Sequence, residues 1–314
     1  MVTISSKITI GDYTFAGVVD LAISSSWDML TDRCEMSIPS KVLHNGLFVD
    51  FANERLVKRG DKVEVLLGYD GNLTKRFSGY VVAVKAGSPV RILCEDEMFV
   101  LKKEPVTVSY ESVTLKQLLT DILPSEIKFK AVDISLGQFR ITDATPAQAL
   151  EELKKTYHLH SWFRDGVLYS GLAYWNLDSE PKRFKFQYNI ISDDLEYRTQ
   201  DDIKIKVKAV SMLPDNSKIE TTVGDADGEL RTLHFYNITS ETELKKIATE
   251  QINTLRYEGW FGSFETFGEP QVKHGDFVEL IDERFDRVGT YLVKKVEPKG
   301  MRGLRQIVYL DRKV

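Results

Sequence analysis

The chain has 314 residues, of which 42% are hydrophobic and 28% charged, the balance of an ordinary globular protein. A formal net charge of −5 argues against a protein that grips nucleic acid by its phosphates, and leaves open one that lets DNA pass. No stretch approaches the ~18 apolar residues that span a bilayer, and the start alternates like a strand, so we expect cytoplasmic synthesis without membrane insertion.

The first hundred residues are predicted to form short strands separated by tight turns. The predicted strands are Thr3–Ile10, Thr14–Ile23, Arg33–Ile38, Lys62–Leu67, Arg76–Val84 and Val90–Cys94. Cys34 and Cys94 lie in such runs and are expected to be buried free thiols. Lys41–Lys58 breaks the pattern and predicts a long loop or hairpin excursion that serves as a contact surface. Together these features predict a first β-barrel over residues 1–104.

Residues 105–180 predict a small α+β domain. Ser112–Leu123 carries apolar residues at helical spacing and ends at Pro124. Thr145 opens a second helix, because it can cap, Pro146 suits the first helical position and Gln148 completes a capping box. A hairpin is predicted to follow, with strands His158–Arg164 and Val167–Ala173 joined at Asp165-Gly166.

Residues 181–314 predict a second β-barrel that carries the longest helix of the chain. Strand character resumes at Arg183 and continues in Lys204–Val210 and Ile219–Val223. Ser240 and Glu243 form the ends of a second capping box, which starts a helix over about 240–258. Its apolar stripe comprises Leu244, Ile247, Ala248, Ile252 and Leu255, and Gly259 is a natural stop.

An internal repeat is the most informative feature of the sequence. Gly60-Asp-Lys-Val-Glu-Val-Leu-Leu, running on to Arg91-Ile-Leu-Cys-Glu-Asp96, matches Gly275-Asp-Phe-Val-Glu-Leu-Ile, running on to Gln306-Ile-Val-Tyr-Leu-Asp311. The offset is 215 residues at both ends, and Phe77–Val84 parallels Gly289–Val296 between them. Gly-Asp makes a tight turn into a strand, because glycine tolerates positive φ and aspartate bonds nearby backbone. The repeat therefore predicts two related β-barrels.

Two similar barrels per chain favour one kind of assembly. Three such chains would present six similar faces in a ring, and this ring could dock on a hexameric partner while keeping three-fold symmetry elsewhere. The duplication therefore favours a homotrimeric adaptor.

Around these residues the chain resembles the tail-hub family of contractile phages. This family includes the late control protein D group, the Mu-like hub, the hub of T4-like baseplates and the N-terminal half of the secretion-system spike protein VgrG. The resemblance rests on Trp27, Thr31-Asp32, Ile38-Pro39, Gly60-Asp61, Gly68–Gly71, Phe77-x-Gly79-Tyr80, Cys94-Glu95-Asp96 and Gln306–Leu310.

The resemblance implies a structural protein of a phage, a prophage or a related injection apparatus. It implies a trimeric hub that joins a hexameric tail tube to a central spike, assembled into the virion tail or baseplate after synthesis in the bacterial cytoplasm. VgrG-type proteins continue into a spike domain, whereas this sequence stops at Val314, so we expect the spike to be a separate chain.

Histidines are the first candidates for chemistry, at positions 44, 158, 160, 234 and 274. His158 and His160 would point to the same face of a strand, which leaves open a two-ligand metal site beside the interpretation as ordinary strand histidines. No metalloprotease, Walker or nucleophile-elbow motif occurs. We expect no catalytic residue, no cofactor and no metal.

The main alternative to a hub is a tail-associated cell-wall hydrolase, either a glycosidase or a peptidase. Its candidate carboxylates are Glu95-Asp96, Asp193-Asp194 and Asp201-Asp202, each beside a strand end or turn where aspartate favours backbone bonding. A weaker alternative, nucleic-acid binding, rests on the alternating basic and aromatic run Lys182–Phe186, which more simply indicates a half-buried strand.

Overall fold

The computed structural model describes residues 3–44, 47–51, 56–172, 180–199, 202–213, 215, 217–300 and 303–314, without the side chains of residues 44 and 253–255. Strands dominate the chain, so the predicted mainly β class with α+β insertion is confirmed. Ala173, Trp175 and Asp201, and the side chains of His44 and Leu255, lie outside what the structure describes. None of the described helices is long and apolar enough to cross a membrane.

Seven strands, all antiparallel, make up what we call the first half-sheet. They are β1 (Ile4–Ile10), β2 (Tyr13–Phe15), β3 (Asp20–Ser26), β4 (Arg33–Ile38), β7 (Lys62–Tyr69), β8 (Asn72–Lys85) and β9 (Val90–Glu95). Their alternating apolar residues bury one face around Ile8, Val65, Val81 and Ile92, all fully buried. The predicted strand Thr14–Ile23 is wrong, because residues 16–19 separate β2 from β3.

Six strands make up the second half-sheet. They are β15 (Lys182–Lys185), β16 (Ile190–Arg198), β20 (Gly259–Phe267), β21 (Phe277–Asp282), β22 (Arg287–Gly300) and β23 (Arg305–Lys313). Phe184, Val278, Tyr291 and Val308 are fully buried in its separate core. All pairings are antiparallel except β15 with β21.

The two half-sheets are one continuous sheet of 13 strands, because β22 pairs with β3. Its hydrogen-bonded order is β16-β20-β23-β22-β3-β4-β9-β8-β7-β1-β2, with β21 on β22 and β15 on β21. Within the described residues no strand pairing closes either half into a barrel. Barrel closure therefore stays a prediction, while the edge-to-edge union of the two halves is a feature that the sequence did not predict.

The middle of the chain forms an α+β unit with a large core. Its elements are α1 (Met98–Leu101), β10 (Val106–Thr114), α2 (Leu115–Ile122), β11 (Lys128–Ala131), β12 (Ser135–Ala144), α3 (Pro146–Tyr157), β13 (His160–Arg164) and β14 (Val167–Gly171). The predicted helix start at Ser112 is wrong, because β10 runs to Thr114, whose side chain caps α2. The capping box of Thr145 and Gln148 is confirmed. The hairpin at Asp165-Gly166 is also confirmed, since both residues have positive φ.

A second small α+β unit lies between β16 and β20. It consists of β17 (Ile205–Met212), β18 (Lys218–Gly224), β19 (Glu229–Tyr236) and α4 (Glu241–Leu255). Helix α4 packs on β17 and β18 around Val207, Leu244 and Ala248. The helix starts at the predicted cap Ser240, but it ends at Leu255, before Gly259.

The excursion predicted at Lys41–Lys58 contains a two-stranded hairpin, β5 (Lys41–His44) and β6 (Leu47–Asp50). Three of its large apolar side chains are exposed, by 65% at Leu43, 71% at Leu47 and 78% at Phe48. Cys34 and Cys94 face each other across β4 and β9 as buried free thiols, as predicted.

Candidate functional site

The two copies of the sequence repeat have the same local structure, including equivalent backbone hydrogen bonds. The Gly60 amide donates to the Val81 carbonyl (2.8 Å), and the Gly275 amide donates to the Val293 carbonyl (2.8 Å). Both glycines have positive φ, 93° and 80°, which β-carbon-bearing residues rarely adopt. Each following aspartate accepts a bond from the backbone amide three residues earlier, at 2.8 Å for Asp61 and 2.9 Å for Asp276. The two Gly-Asp turns are therefore equivalent.

The two copies also share a bulge, and the strand register on both sides of it corrects the predicted alignment of their last strands. The β8–β9 register shifts between Val81 and Ala83, and the β22–β23 register shifts between Val293 and Lys295. After the bulge, Leu93 lies opposite Ala83 as Tyr309 lies opposite Lys295, so the offset in the last strand is 216 residues. The predicted offset of 215 is wrong there, because it would match inward-facing residues with outward-facing ones.

The junction between the half-sheets is the antiparallel pairing of β22 with β3. Lys295 lies opposite Ser26 and Val296 opposite Ser25. The Ser26 hydroxyl also donates to the Lys294 carbonyl (3.2 Å). The antiparallel backbone ladder joins the two related modules in one sheet.

A second link braces this junction from the side. Arg76, whose side chain is 1% exposed, donates to the Gly268 carbonyl (2.8 Å) and forms an ion pair with Glu269 (2.5 Å). The Tyr69 hydroxyl donates to the Leu304 carbonyl (2.7 Å). These bonds join the β7–β8 hairpin to loops of the second half-sheet. The sequence named Tyr69 only within the Gly68–Gly71 motif, and it indicated no role for the side chains of Arg76 and Glu269.

Asp276 ties the middle unit to the second half-sheet. Its carboxylate, almost fully buried, accepts bonds from Arg164 (2.6 Å) and from Lys182. Burial acts to raise the pKa of Asp276, but the bonds and charges of Lys182 and Arg164 outweigh it and hold the pKa below its usual value. The neighbouring His274 is buried, and burial together with the Arg164 charge lowers its pKa to about 3. The sequence indicated Asp276 only as a turn residue.

A cavity of about 390 Å³ lies where the two half-sheets and the middle unit meet. Two of its acidic residues, Asp32 and Asp96, are joined by two hydrogen bonds: the Asp32 backbone amide donates to Asp96 Oδ2 (3.1 Å), and the Asp96 backbone amide donates to the Asp32 backbone carbonyl (3.1 Å). Burial raises the pKa of Asp32 to about 7, and burial and the neighbouring Asp32 raise that of Asp96. Both carboxyl groups therefore bind a proton more readily than exposed ones do, and their hydrogen bonds serve the structure.

The predicted histidine pair is not arranged as expected. His158 is the left-handed cap of α3 and precedes the strand, so it stacks on His234 at 3.2 Å between ring centroids. His160, on β13, lies with Nδ1 at 3.6 Å from Asp28. Burial lowers the pKa of both His160 and His234 to about 4. In the part of the chain that the structure describes, no three His, Cys, Asp or Glu side chains could jointly hold a metal ion.

The remaining candidates lie apart from one another. Asp193 and Asp194 are exposed on β16, and Asp202 accepts turn bonds from Thr199. The basic residues of the run 182–186 are ion-paired: Lys182 with Asp276, Arg183 with Glu279 and Lys185 with Glu283. The predicted half-buried strand is confirmed there by the buried Phe184.

Comparison with known proteins gives structural relatives only. No family model and no curated protein sequence matches the chain. A tail protein from Neisseria meningitidis MC58 superimposes with a TM-score of 0.64 at 18% identity, over 99% of this chain and 96% of that one. A 43 kDa tail protein of prophage MuSo2 from Shewanella oneidensis gives 0.64 at 16% identity, over 98% of each.

A third similar structure is a type VI secretion component of Escherichia coli, itself described as similar to two T4 bacteriophage tail proteins. Its TM-score is 0.60 at 10% identity, over 98% of this chain and 76% of that one. At these identities the likeness establishes the fold. The chain therefore has the fold of phage tail and type VI secretion proteins, as the sequence resemblance implied.

Removal of the Asp276 carboxylate tests its part in holding the middle unit. Asp276→Ala is expected to lower the free energy of unfolding by about 3 kcal/mol, because Arg164 and Lys182 lose their shared partner. The matched control is Asp61→Ala at the equivalent turn, which loses a single turn bond and is expected to cost about 1 kcal/mol. Urea unfolding measures both, and equal losses would contradict the assignment.

The carboxyl pair predicts a specific pH dependence. Since burial raises the folded-state pKa of Asp32 to about 7 from a usual 3.8, the folded state binds this proton more tightly than the unfolded chain does. The contribution of Asp32 to stability is complete below about pH 4 and is lost as the pH rises through 7. Acidification from pH 7 to 5 is therefore expected to raise the free energy of unfolding by on the order of 2 kcal/mol. Urea unfolding across this range should show the gain in the native chain and a smaller gain in Asp32→Asn, because burial still raises the pKa of Asp96 in that variant. Parallel pH profiles would contradict it.

Proposed function

We propose that the chain is a structural tail-hub or baseplate-hub subunit of a phage or a phage-derived injection apparatus. It forms a homotrimeric ring that adapts a hexameric tail tube to a separate central spike protein. Its place is in the assembled tail or baseplate, after synthesis in the bacterial cytoplasm.

The observation that carries this proposal is the duplication. Two modules with equivalent Gly-Asp turns and equivalent bulges lie side by side in one sheet. Three chains would supply six such modules, the number that a hexameric tube presents. The fold shared with tail proteins over nearly the whole chain supports the same assignment.

Exposed apolar residues indicate where a partner in the assembly would contact the chain. Leu43, Leu47 and Phe48 stand on the β5–β6 hairpin and expose more than half of their surface. Exposed apolar groups of this kind are typical of interaction surfaces. The hairpin and the middle unit are the contact regions that we assign to the hub.

The charge distribution supports a role in which DNA passes without specific binding. The chain is acidic overall, and the basic run 182–186 is neutralised by ion pairs. An acidic lining repels phosphate and allows DNA to slide. A trimer whose lumen is lined mainly by lysine and arginine would contradict this role.

The proposal includes no catalytic function. In the interdomain cavity the Asp96 carboxyl accepts bonds from the backbone amides of Asp32 and Met98, and the Asp32 carboxyl accepts a bond from the Ser25 hydroxyl. The exposed pair Asp193 and Asp194 lies on a strand edge, away from that cavity. This arrangement of carboxyl groups does not support the hydrolase alternative.

Assembly measurements test the proposal. The full chain, alone and mixed with the tail-tube and spike proteins encoded with it, is expected to form a species of three times the 35.9 kDa chain mass in size-exclusion chromatography with light scattering. Trimer formation only with the spike protein would also support the hub. A chain that stays monomeric with both partners, or a monomer that degrades peptidoglycan, would overturn it.

A further inference from the structure

The junction between the half-sheets uses two strand edges, and each of them has an equivalent elsewhere in the same chain. One edge is the end of β22, where Lys295 and Val296 lie opposite β3. The shared bulge makes Ala83 and Val84 of β8 their counterparts, since Val84 lies opposite Ile92 as Val296 lies opposite Val308. On the side away from β9, no described strand pairs with residues 83–85.

The other edge belongs to β3, and its counterpart is β16. Ala22 lies opposite Glu35, which lies opposite Leu93. Asp194 lies opposite Ser263, which lies opposite Tyr309, the equivalent of Leu93. Asp194 therefore corresponds to Ala22 and, three positions on, Tyr197 corresponds to Ser25. Among the described strands β16 pairs only with β20, so its outer edge is open.

We propose that β16 of one copy pairs antiparallel with the end of β8 of a second copy of this chain, repeating the internal junction between subunits. The internal register transfers directly. It places Ala83 opposite Arg198, Val84 opposite Tyr197 and Lys85 opposite Glu196. This inference rests on the proposed trimer and names the strands that build it.

Side-chain direction and charge fit this register. Val84 and Tyr197 are partly buried against the cores of their own half-sheets, and Val296, the counterpart of Val84, is fully buried at the internal junction. Lys85 and Glu196 are exposed and opposite in charge, and this register makes them a directly opposed cross-strand pair, in which Lys85 joins the existing ion pair of Glu196 with Arg198 (2.6 Å). Opposite charges in that position stabilise a strand pair, whereas like charges destabilise it.

The contact is head to tail, because the two edges are different surfaces. Such a contact closes into a ring when a whole number of rotations from one copy to the next completes a full turn. Repeating the internal junction between chains gives every module in the ring the same neighbours. The contact pairs one open strand edge on each side of the monomer. Unpaired edges can pair with other chains and cause aggregation, and this pairing prevents it.

A designed disulfide tests the register. Cross-strand neighbours have β-carbons within disulfide reach, so Lys85→Cys combined with Glu196→Cys is expected to cross-link the trimer at least about tenfold more than a control. The control combines Glu196→Cys with Lys75→Cys, an exposed site on the same strand β8 but away from the junction. The native Cys34 and Cys94 are buried and leave the readout clear.

Charge variants supply an independent measurement. Lys85→Glu alone should raise the concentration at which the trimer dissociates, and adding Glu196→Lys should restore it. A trimer in light scattering without specific 85–196 cross-linking would overturn this pairing and leave the hub intact. A chain that remains monomeric with the tail-tube and spike proteins would overturn both.

Discussion

The antiparallel pairing of β22 with β3 is the constraint on which the rest of the molecule depends. Each half-sheet buries its own core, but neither satisfies its edges alone. Their union satisfies one edge of each half and fixes the angle between two related modules. Arg76 and Asp276 then fasten the loops and the middle unit to that union through buried charge-assisted bonds. The two related modules are thereby held together in one sheet.

Sequence reasoning recovered what local patterns encode. The Gly-Asp turns, the capping box at Thr145 and the hairpin at Asp165-Gly166 each depend on a few adjacent residues, and all three lie as predicted. The offset of the last strand was wrong by one residue because the connections between strands differ in length in the two copies: the offset is 215 residues at the Gly-Asp turns, 212 along β8 and β22, and 216 along β9 and β23. Asp32 and Asp96 were both named from the sequence, but their pairing across 64 positions and the Arg76 brace were not predicted, because only tertiary folding brings these partners together.

The unit built from β17–β19 and α4 was also missed as a separate element. Its parallel pairing of β17 with β19 and its own core depend on contacts over many residues, and sequence patterning placed its strands and helix in the second barrel. The histidine pair failed for a local reason. His158 adopts the left-handed conformation that ends α3, so the face expected for it never forms.

That unit enters and leaves the sheet at neighbouring points, since Arg198 on β16 lies directly opposite Gly259 on β20. It is therefore an insertion at the end of a strand pair, and a short turn could bridge the same gap. Insertions at such places leave the parent sheet undisturbed. The end of the β16–β20 pair is therefore a position where one inserted unit could be exchanged for another, in evolution or by engineering, while the sheet keeps its fold.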